Sequence, residues 1–246
     1  MSVQVTIDGL PVSVPEGTSL IEAAAAQGIY VPTLCYVPGR DCLGTCRVCL
    51  VRVDGHIAAG CSVAVREGAV VEVDTAELNG MRRELVELQF VDGTHNCPSC
   101  EKSGRCQLQA VAYEVGMQVA EYPYRHPQRA AEHAPARIWL ERDRCILCHR
   151  CVQLVHDRTT GAKIFALRGR GDRARIEVDT ALADAMPEDQ IDEAVELCPV
   201  GAILRKGVGY DEPIGHRRYE RVTLSERTLA RQQGSGQPGK ETDDDD

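Results

Sequence analysis

His95-Asn96-Cys97-Pro98-Ser99-Cys100-Glu101-Lys102-Ser103-Gly104-Arg105-Cys106 offers His95, Cys97, Cys100 and Cys106 within twelve residues. A loop that short can wrap one inorganic centre. Five cysteines precede it and four follow, so the chain reads as a wire with this stretch as its middle bead. The twelve cysteines fall largely into C-x2-C units, the metal pattern rather than the scattered spacing of a disulfide scaffold.

The flanks of the loop read as helices. Leu78, Met81, Leu85 and Leu88 recur at helical spacing before it, and Leu108, Val111, Ala112 and Val115 do so after it. Residues 121–137 carry His126 and His133 without ligand partners at usable spacing and read as a surface connector. A lone histidine beside cysteines is often only a neighbour. Here only three cysteines lie between Cys61 and Cys145, and the other two groups complete themselves without lending one, which favours His95 as a ligand.

Towards the N-terminus, Val3–Ile7 alternates, Asp8-Gly9 suits a two-residue hairpin turn, and Pro11–Val14 returns. Ser19 with Glu22 forms a capping box, Leu20, Ile21, Ala24 and Ala25 give an apolar face, and Gly28 stops the helix. Val48–Val53 and Val70–Val73 read as further strands. The sum is a small α+β unit of the β-grasp kind. It holds Cys35, Cys42, Cys46, Cys49 and Cys61, five candidates for the four thiolate seats of a [2Fe–2S] cluster. Plant-type C-x4-C-x2-C spacing fits no subset, and C-x10-C-x2-C-x11-C through Cys35, Cys46, Cys49 and Cys61 is the alternative. Gly39, Gly44 and Gly60 lie in or beside these loops, where backbone must approach a centre closely.

Towards the C-terminus, Cys145, Cys148 and Cys151 form C-x2-C-x2-C, and Cys198-Pro199 follows after 46 residues. A close triplet with a remote Cys-Pro builds [4Fe–4S] sites in bacterial ferredoxins. With one triplet, Cys198 must complete the same site, and His149 inside it is surplus. Zinc prefers two separated pairs for its tetrahedron. Between triplet and Cys198, strand, turn and strand are expected over 164–178. The turn holds Arg168, Arg170, Arg173 and Arg175, with Asp172 among them and no interleaved aromatics, so it is a solvated or protein-contact loop rather than an RNA-binding tract.

Composition excludes other classes. A net charge of −9 argues against broad nucleic-acid binding, which rests on Lys and Arg against phosphates. No basic and then apolar leader opens the chain, and no apolar run reaches the roughly 18–20 residues of a bilayer span. A cytoplasmic protein is expected. Gly234-Ser-Gly236-Gln-Pro-Gly239 spells G-x-G-x-x-G, but no strand precedes it and Asp243–Asp246 follow, so it is not a dinucleotide site. Residues 221–246 are expected to form a flexible acidic tail.

The N-terminal cysteine set, with Tyr36 and Cys46-Arg-Val-Cys49-Leu-Val, resembles the [2Fe–2S] domain of the large iron–sulfur subunit of respiratory complex I and of NAD-linked hydrogenases and some formate dehydrogenases. That resemblance implies Cys35, Cys46, Cys49 and Cys61 as ligands and leaves Cys42 as a packed, non-ligating thiol. The text His-x-Cys-Pro-x-Cys-Glu-Lys-x-Gly-x-Cys-Gln-Leu-Gln resembles the same family's [4Fe–4S] motif with one histidine and three cysteines. Complex I places this histidine four residues before the first cysteine. Here the gap is two, as the hydrogenase-associated branch tolerates. A neutral imidazole in place of a thiolate raises a cluster's potential. The ending, Arg205-Lys-Gly-Val-Gly-Tyr210 through Arg217-Arg-Tyr219, resembles that of the small diaphorase subunits of NAD-reducing soluble [NiFe] hydrogenases.

The resemblance implies an α+β chain in four parts. A β-grasp [2Fe–2S] domain spans 1–75, a small helical [4Fe–4S] domain 76–137 and a ferredoxin-like [4Fe–4S] domain 138–220, before the tail at 221–246. It implies one [2Fe–2S] and two [4Fe–4S] clusters and a one-electron relay without bond chemistry. FMN and NAD would sit on a diaphorase large subunit, and the NiFe centre on a hydrogenase pair of small and large subunits. A relay subunit of a formate or other NAD-linked dehydrogenase is the neighbouring alternative. A zinc-stapled adaptor protein is the alternative from a different class.

Overall fold

The computed structural model describes residues 1–42 and 44–233. The G-x-G-x-x-G stretch and the acidic end of the expected tail lie outside them. Strands β1 (Ser2–Ile7) and β2 (Leu10–Pro15) pair antiparallel, with Val3 opposite Val14 and Val5 opposite Val12. Asp8 and Gly9 both take positive φ, 47° and 80°, as the favoured hairpin turn demands. Helix α1 (Leu20–Ala26) starts with the expected box: Glu22 N–H donates to Ser19 Oγ at 3.3 Å, and Ser19 N–H to Glu22 Oε2 at 3.4 Å.

Strands β3 (Leu50–Val53), β4 (His56–Ala59) and β5 (Val70–Glu72) complete a five-stranded sheet in the order β2-β1-β5-β3-β4. β1 and β5 run parallel, and the other pairs are antiparallel. β4 is not among the strands expected from the sequence, although Asp54-Gly55 carries the same hairpin signal, with φ of 49° and 83°. The alternating valines of β1 and β2 face α1, whose Leu20, Ile21, Ala23 and Ala24 are buried against them.

Helix α2 (Ala76–Val91) follows, capped by Thr75 Oγ1, which accepts Leu78 N–H at 3.2 Å. Its buried face differs from the expected one. Leu78, Arg82, Val86 and Phe90 point inward, whereas Leu88 is exposed. Buried Arg82 donates to the Leu50 carbonyl, and buried Glu87 accepts the backbone N–H groups of Glu121 and Tyr122. Glu87 and the terminal nitrogens of Arg82 are partnered inside, so the face is not purely apolar. The loop 92–106 leads to α3 (Gln107–Glu114).

In the third part, β6 (Ile138–Leu140) later pairs antiparallel with β9 (Ile203–Arg205). Between them lie α4 (Arg150–Leu154), the hairpin β7 (Phe165–Arg168) and β8 (Arg175–Val178), α5 (Thr180–Ala185) and α6 (Glu188–Leu197). The arginine-rich stretch forms the hairpin's turn, as expected.

The tail expectation fails for residues 221–233. α7 (Arg218–Arg221) is followed by α8 (Leu224–Gln233), which packs on α1 and α3. Leu224 is buried, and the Ser225 hydroxyl donates to Glu114 Oε1 at 2.7 Å. The apolar anchor on one side and the capping residues Thr223 and Glu226 make a helix there, despite a polar sequence.

Candidate iron–sulfur sites

All twelve cysteines are free thiols, and they gather at three places. In the first, Cys35, Cys46, Cys49 and Cys61 are all buried at the edge of the sheet. Cys49 sits just before β3 and Cys61 just after β4, so the register of one hairpin brings their sulfurs to 3.2 Å. Cys46 interacts with Cys35, and Cys35 with Cys61. Gly60 lies tight against this pair: a Cβ there would sit 3.3 Å from the Cys49 carbonyl.

Cys42 is closer than a bystander need be. Its sulfur and those of Cys35 and Cys61 all lie within 4.8 Å of one another, and Gly44 N–H donates to it at 3.4 Å. Unlike the other four it is only half-buried. Among these thiols, hydrogen bonds from Cys46 and Cys61 pull Cys35 down, while Cys61 is pushed up chiefly by its bonds to Cys35 and Cys49.

The second place lies in the loop 95–106. His95, Cys97, Cys100 and Cys106 line a single cavity with Phe90, Arg144 and Gly201. His95 Nε2 is buried and has no hydrogen-bond partner. Burial pushes the imidazole down to about 4, against a pull upward from the Gln89 backbone, so the ring is neutral with a free lone pair. A neutral ring anchored to backbone through its other nitrogen is how metal-ligating histidines are held. Gly93 and Gly201 keep the cavity open. A Cβ at Gly93 would fall 2.4 Å from His95 Nε2, and one at Gly201 would fall 2.7 Å from Cys100 Sγ. Neither glycine was singled out by the sequence, because each meets its neighbour only in the folded chain.

The third place joins Cys145, Cys148 and Cys151 with Cys198 at the end of α6. The triplet loop turns twice through left-handed backbone, at Leu147 (φ 51°) and His149 (φ 61°), which folds three thiols around one point. Burial pushes Cys145 up to about 11 and Cys148 up to about 12, and Cys106 in the second site likewise to about 12. Buried thiolates of this kind need positive charge beside them, which a ferric or ferrous ion supplies. The donor sets therefore fit iron–sulfur clusters at all three places: sulfur and imidazole ligands, an orphaned nitrogen and glycine-lined space.

The order in space is not the order in sequence. Thr45 Oγ1 donates to the Cys148 carbonyl at 3.2 Å, and Arg150 to the Tyr36 carbonyl at 3.0 Å, tying the first site to the third. Gln107 N–H donates to the Pro199 carbonyl at 2.8 Å, and Gly201 abuts Cys100, tying the third site to the second. The third site thus contacts both of the others, while Arg82 of α2 also ties the middle part of the chain directly to the first at Leu50. In this series of contacts the loop 95–106 lies at one end rather than in the middle. His149, surplus in the sequence, sits near Cys35 at the junction of the first and third sites.

Comparison with known proteins agrees with each part. A family model described as a 2Fe-2S iron-sulfur cluster binding domain matches residues 1–76. One described as the NADH-ubiquinone oxidoreductase-G iron-sulfur binding region matches 82–120, and the ferredoxin-like domain of NADH-quinone oxidoreductase subunit 3 matches 136–204. The chain is 56% identical over 229 residues to the NAD-reducing hydrogenase HoxS subunit gamma of Cupriavidus necator, covering 93% of this chain and 98% of that protein. The chain belongs to the family of iron–sulfur subunits of NAD-reducing hydrogenases and complex I.

Within that family, the mitochondrial NADH-ubiquinone oxidoreductase 78 kDa subunit of Candida albicans is 31% identical over 208 residues, 83% of this chain but 28% of that protein. A crystal structure of NAD+-reducing [NiFe]-hydrogenase in the H2-reduced state contains a chain that superposes with a TM-score of 0.85 at 35% identity. The match covers 94% of this chain and 99% of that one. The α+β architecture with a [2Fe–2S] domain, an iron–sulfur region and a ferredoxin-like domain is thereby the family's own. Among the described residues, no helix is long and apolar enough to cross a membrane.

Proposed function

We propose that this chain is the electron-relay subunit of a cytoplasmic NAD-reducing hydrogenase, with no catalytic residue of its own. Cys35, Cys46, Cys49 and Cys61 would hold a [2Fe–2S] cluster. His95, Cys97, Cys100 and Cys106 would hold one [4Fe–4S] cluster, and Cys145, Cys148, Cys151 and Cys198 another. The parts correspond to residues 1–75, 76–137 and 138–220. Such clusters take and give single electrons when bound. The residues around them bury the thiolates, exclude water and fix the spacing through Thr45, Arg150 and Gly201.

The observation that carries this reading is the series of contacts joining three largely buried donor sets. Partners are then required at both ends: an FMN- and NAD-binding diaphorase subunit, and a hydrogenase pair holding the NiFe centre. The near full-length match to a hydrogenase subunit favours this over a relay for formate or another NAD-linked substrate. Anaerobic purification of the complex, with iron, sulfide and zinc analysis, tests it. About ten irons per chain are expected from one two-iron and two four-iron clusters. A zinc-stapled adaptor would instead show zinc, no sulfide and no brown absorption.

A further inference from the structure

We propose that Lys102 is a buried cation shared by the two four-iron sites, and that its charge stabilises the reduced state of both clusters at once. The inference deepens the relay reading and rests on it. Lys102 lies two residues after Cys100 and is 6% exposed. Its Nζ donates to the Val195 carbonyl at 3.0 Å, in the last turn of α6, which delivers Cys198. The Lys102 stem packs against the same Gly201 that abuts Cys100, its Cβ being 3.3 Å from where a Cβ of Gly201 would stand. The side chain therefore spans the seam between the second and third sites. Val195, which receives the ammonium, lies three residues before Cys198 of one site, and Lys102 itself lies between Cys100 and Cys106 of the other.

The buried cations are paired in different ways. Arg142 is matched by Glu177 at 2.5 Å, whereas the guanidinium groups of Arg82 and Arg150 donate to backbone carbonyls. Lys102 reaches one carboxylate oxygen, Glu196 Oε2, at 3.5 Å. Glu196 is half exposed and is also engaged by Arg218. Burying an ammonium with so little compensation is unfavourable unless anionic groups lie nearby. Two thiolate-ligated clusters supply that charge. Each becomes more negative by one unit on reduction, so a fixed cation between them favours the reduced form of both and raises both potentials. The consequence is a coupled pair: neighbouring steps of the relay are moved together, and the difference between their potentials is left in place.

The test is a redox titration followed by EPR on the purified holo complex, with Lys102→Gln and Lys102→Arg beside the parent. Gln keeps a donor for the Val195 carbonyl without the charge, and Arg keeps the charge. Iron content and the presence of both four-iron signals are read first, so absent clusters would indict the relay reading and not this one. With Gln, the reduced-to-oxidised ratio at a fixed ambient potential should fall about tenfold at both clusters, about 59 mV for one electron. Arg should restore both, and the [2Fe–2S] centre should not move. A shift at one cluster alone, or at neither, overturns the proposal. If the Gln variant fails to retain its clusters, Glu196→Gln decides. It alters a half-exposed carboxylate and leaves the Lys102 charge less opposed, so both four-iron potentials should rise and the [2Fe–2S] potential should hold. Unchanged values, or an equal shift at all three centres, overturn the proposal.

Discussion

The N-terminal sheet and the loops around His95 and Cys145 solve the same problem in opposite ways. The sheet unit has a core of its own: Val5, Ile7, Val12, Leu20, Ile21, Val51 and Val71 are buried together, and only Cys49 and Cys61 of its thiols belong to it. In the other core, Cys106, Cys148 and Cys198 are integral members, together with Cys35 and Cys46 of the first site, and the segments bearing the second and third sets have little regular backbone. Residues 92–106 form one short 3-10 turn, and 141–151 lead through another into a five-residue helix. A backbone ladder holds Cys49 and Cys61 of the first site before anything binds, while Cys35 and Cys46 lie on the irregular segment before β3. The other two are held by what their side chains bind, as in small metal-dependent domains.

Iron removal should break that symmetry most visibly. Anaerobic chelation of the holo protein, followed by amide hydrogen exchange, should strip protection from residues 95–106 and 141–155 by about 100-fold or more, about 2.8 kcal/mol at 1.4 kcal/mol per decade. Amides of β1, β3 and β5 should keep most of theirs. Equal loss across the chain would mean the sheet also depends on its cluster, and the contrast would fall.

A second contrast is electrical. The proposed [2Fe–2S] site offers thiols only, whereas the loop 95–106 brings a neutral imidazole. His95→Cys would restore a negative ligand, favour the oxidised cluster and lower that potential by on the order of 100 mV, judged from what histidine does in Rieske centres. His95→Ala should leave one iron exchangeable. Because this site lies at one end of the row, His95→Cys should slow hydrogen-driven NAD reduction while NADH oxidation by artificial acceptors is largely spared. EPR-monitored titration of variant and parent checks the potential. An unchanged value with unchanged turnover would make His95 a spectator with an orphaned nitrogen.

What the sequence disclosed follows the range of the interactions. The Asp8-Gly9 turn, the Ser19–Glu22 box and the C-x2-C units are local, and each appears in the fold where its spacing put it. What it hid depends on distant partners. Gly201 matters because Cys100 abuts it, Lys102 because Val195 is opposite, and the inward Arg82 because the Leu50 carbonyl receives it. The spatial order of the sites was hidden for the same reason, since Thr45 meets Cys148 across 103 residues. The helix α8 was illegible because its polar surface resembles a tail until Leu224 finds α1 and α3.

The sheet unit should also respond to ordinary helix chemistry. Ser19→Ala removes the acceptor for Glu22 N–H and should cost about 1 kcal/mol, with the loss confined to α1 and its neighbours. Glu22 Oε1 also accepts the Tyr36 hydroxyl at 2.7 Å, next to Cys35, so a slight broadening of the [2Fe–2S] EPR signal should accompany it. Thermal unfolding of the holo protein and the EPR linewidth read the two effects. Loss of the cluster itself would show that the cap, and not the sheet, holds the cysteine loop.

The smallest effect is expected at Cys42, where geometry and spacing pull in different directions. Its sulfur stands with those of Cys35 and Cys61, and the Gly44 N–H aimed at it is the kind of donor that cluster sulfurs receive. Yet four seats are already matched by Cys35, Cys46, Cys49 and Cys61, all buried, while Cys42 is half open to solvent on a loop without regular structure. Within this one site the better shielded thiols are the expected ligands, because solvent access at the metal invites exchange and oxidation. Cys42→Ser should therefore leave iron content unchanged and the [2Fe–2S] signal in place. Serine in place of Cys35, Cys46, Cys49 or Cys61 should each disturb that signal. If Cys42→Ser abolishes it and Cys35→Ser does not, the two residues exchange roles, and the half-exposed thiol is the true fourth ligand.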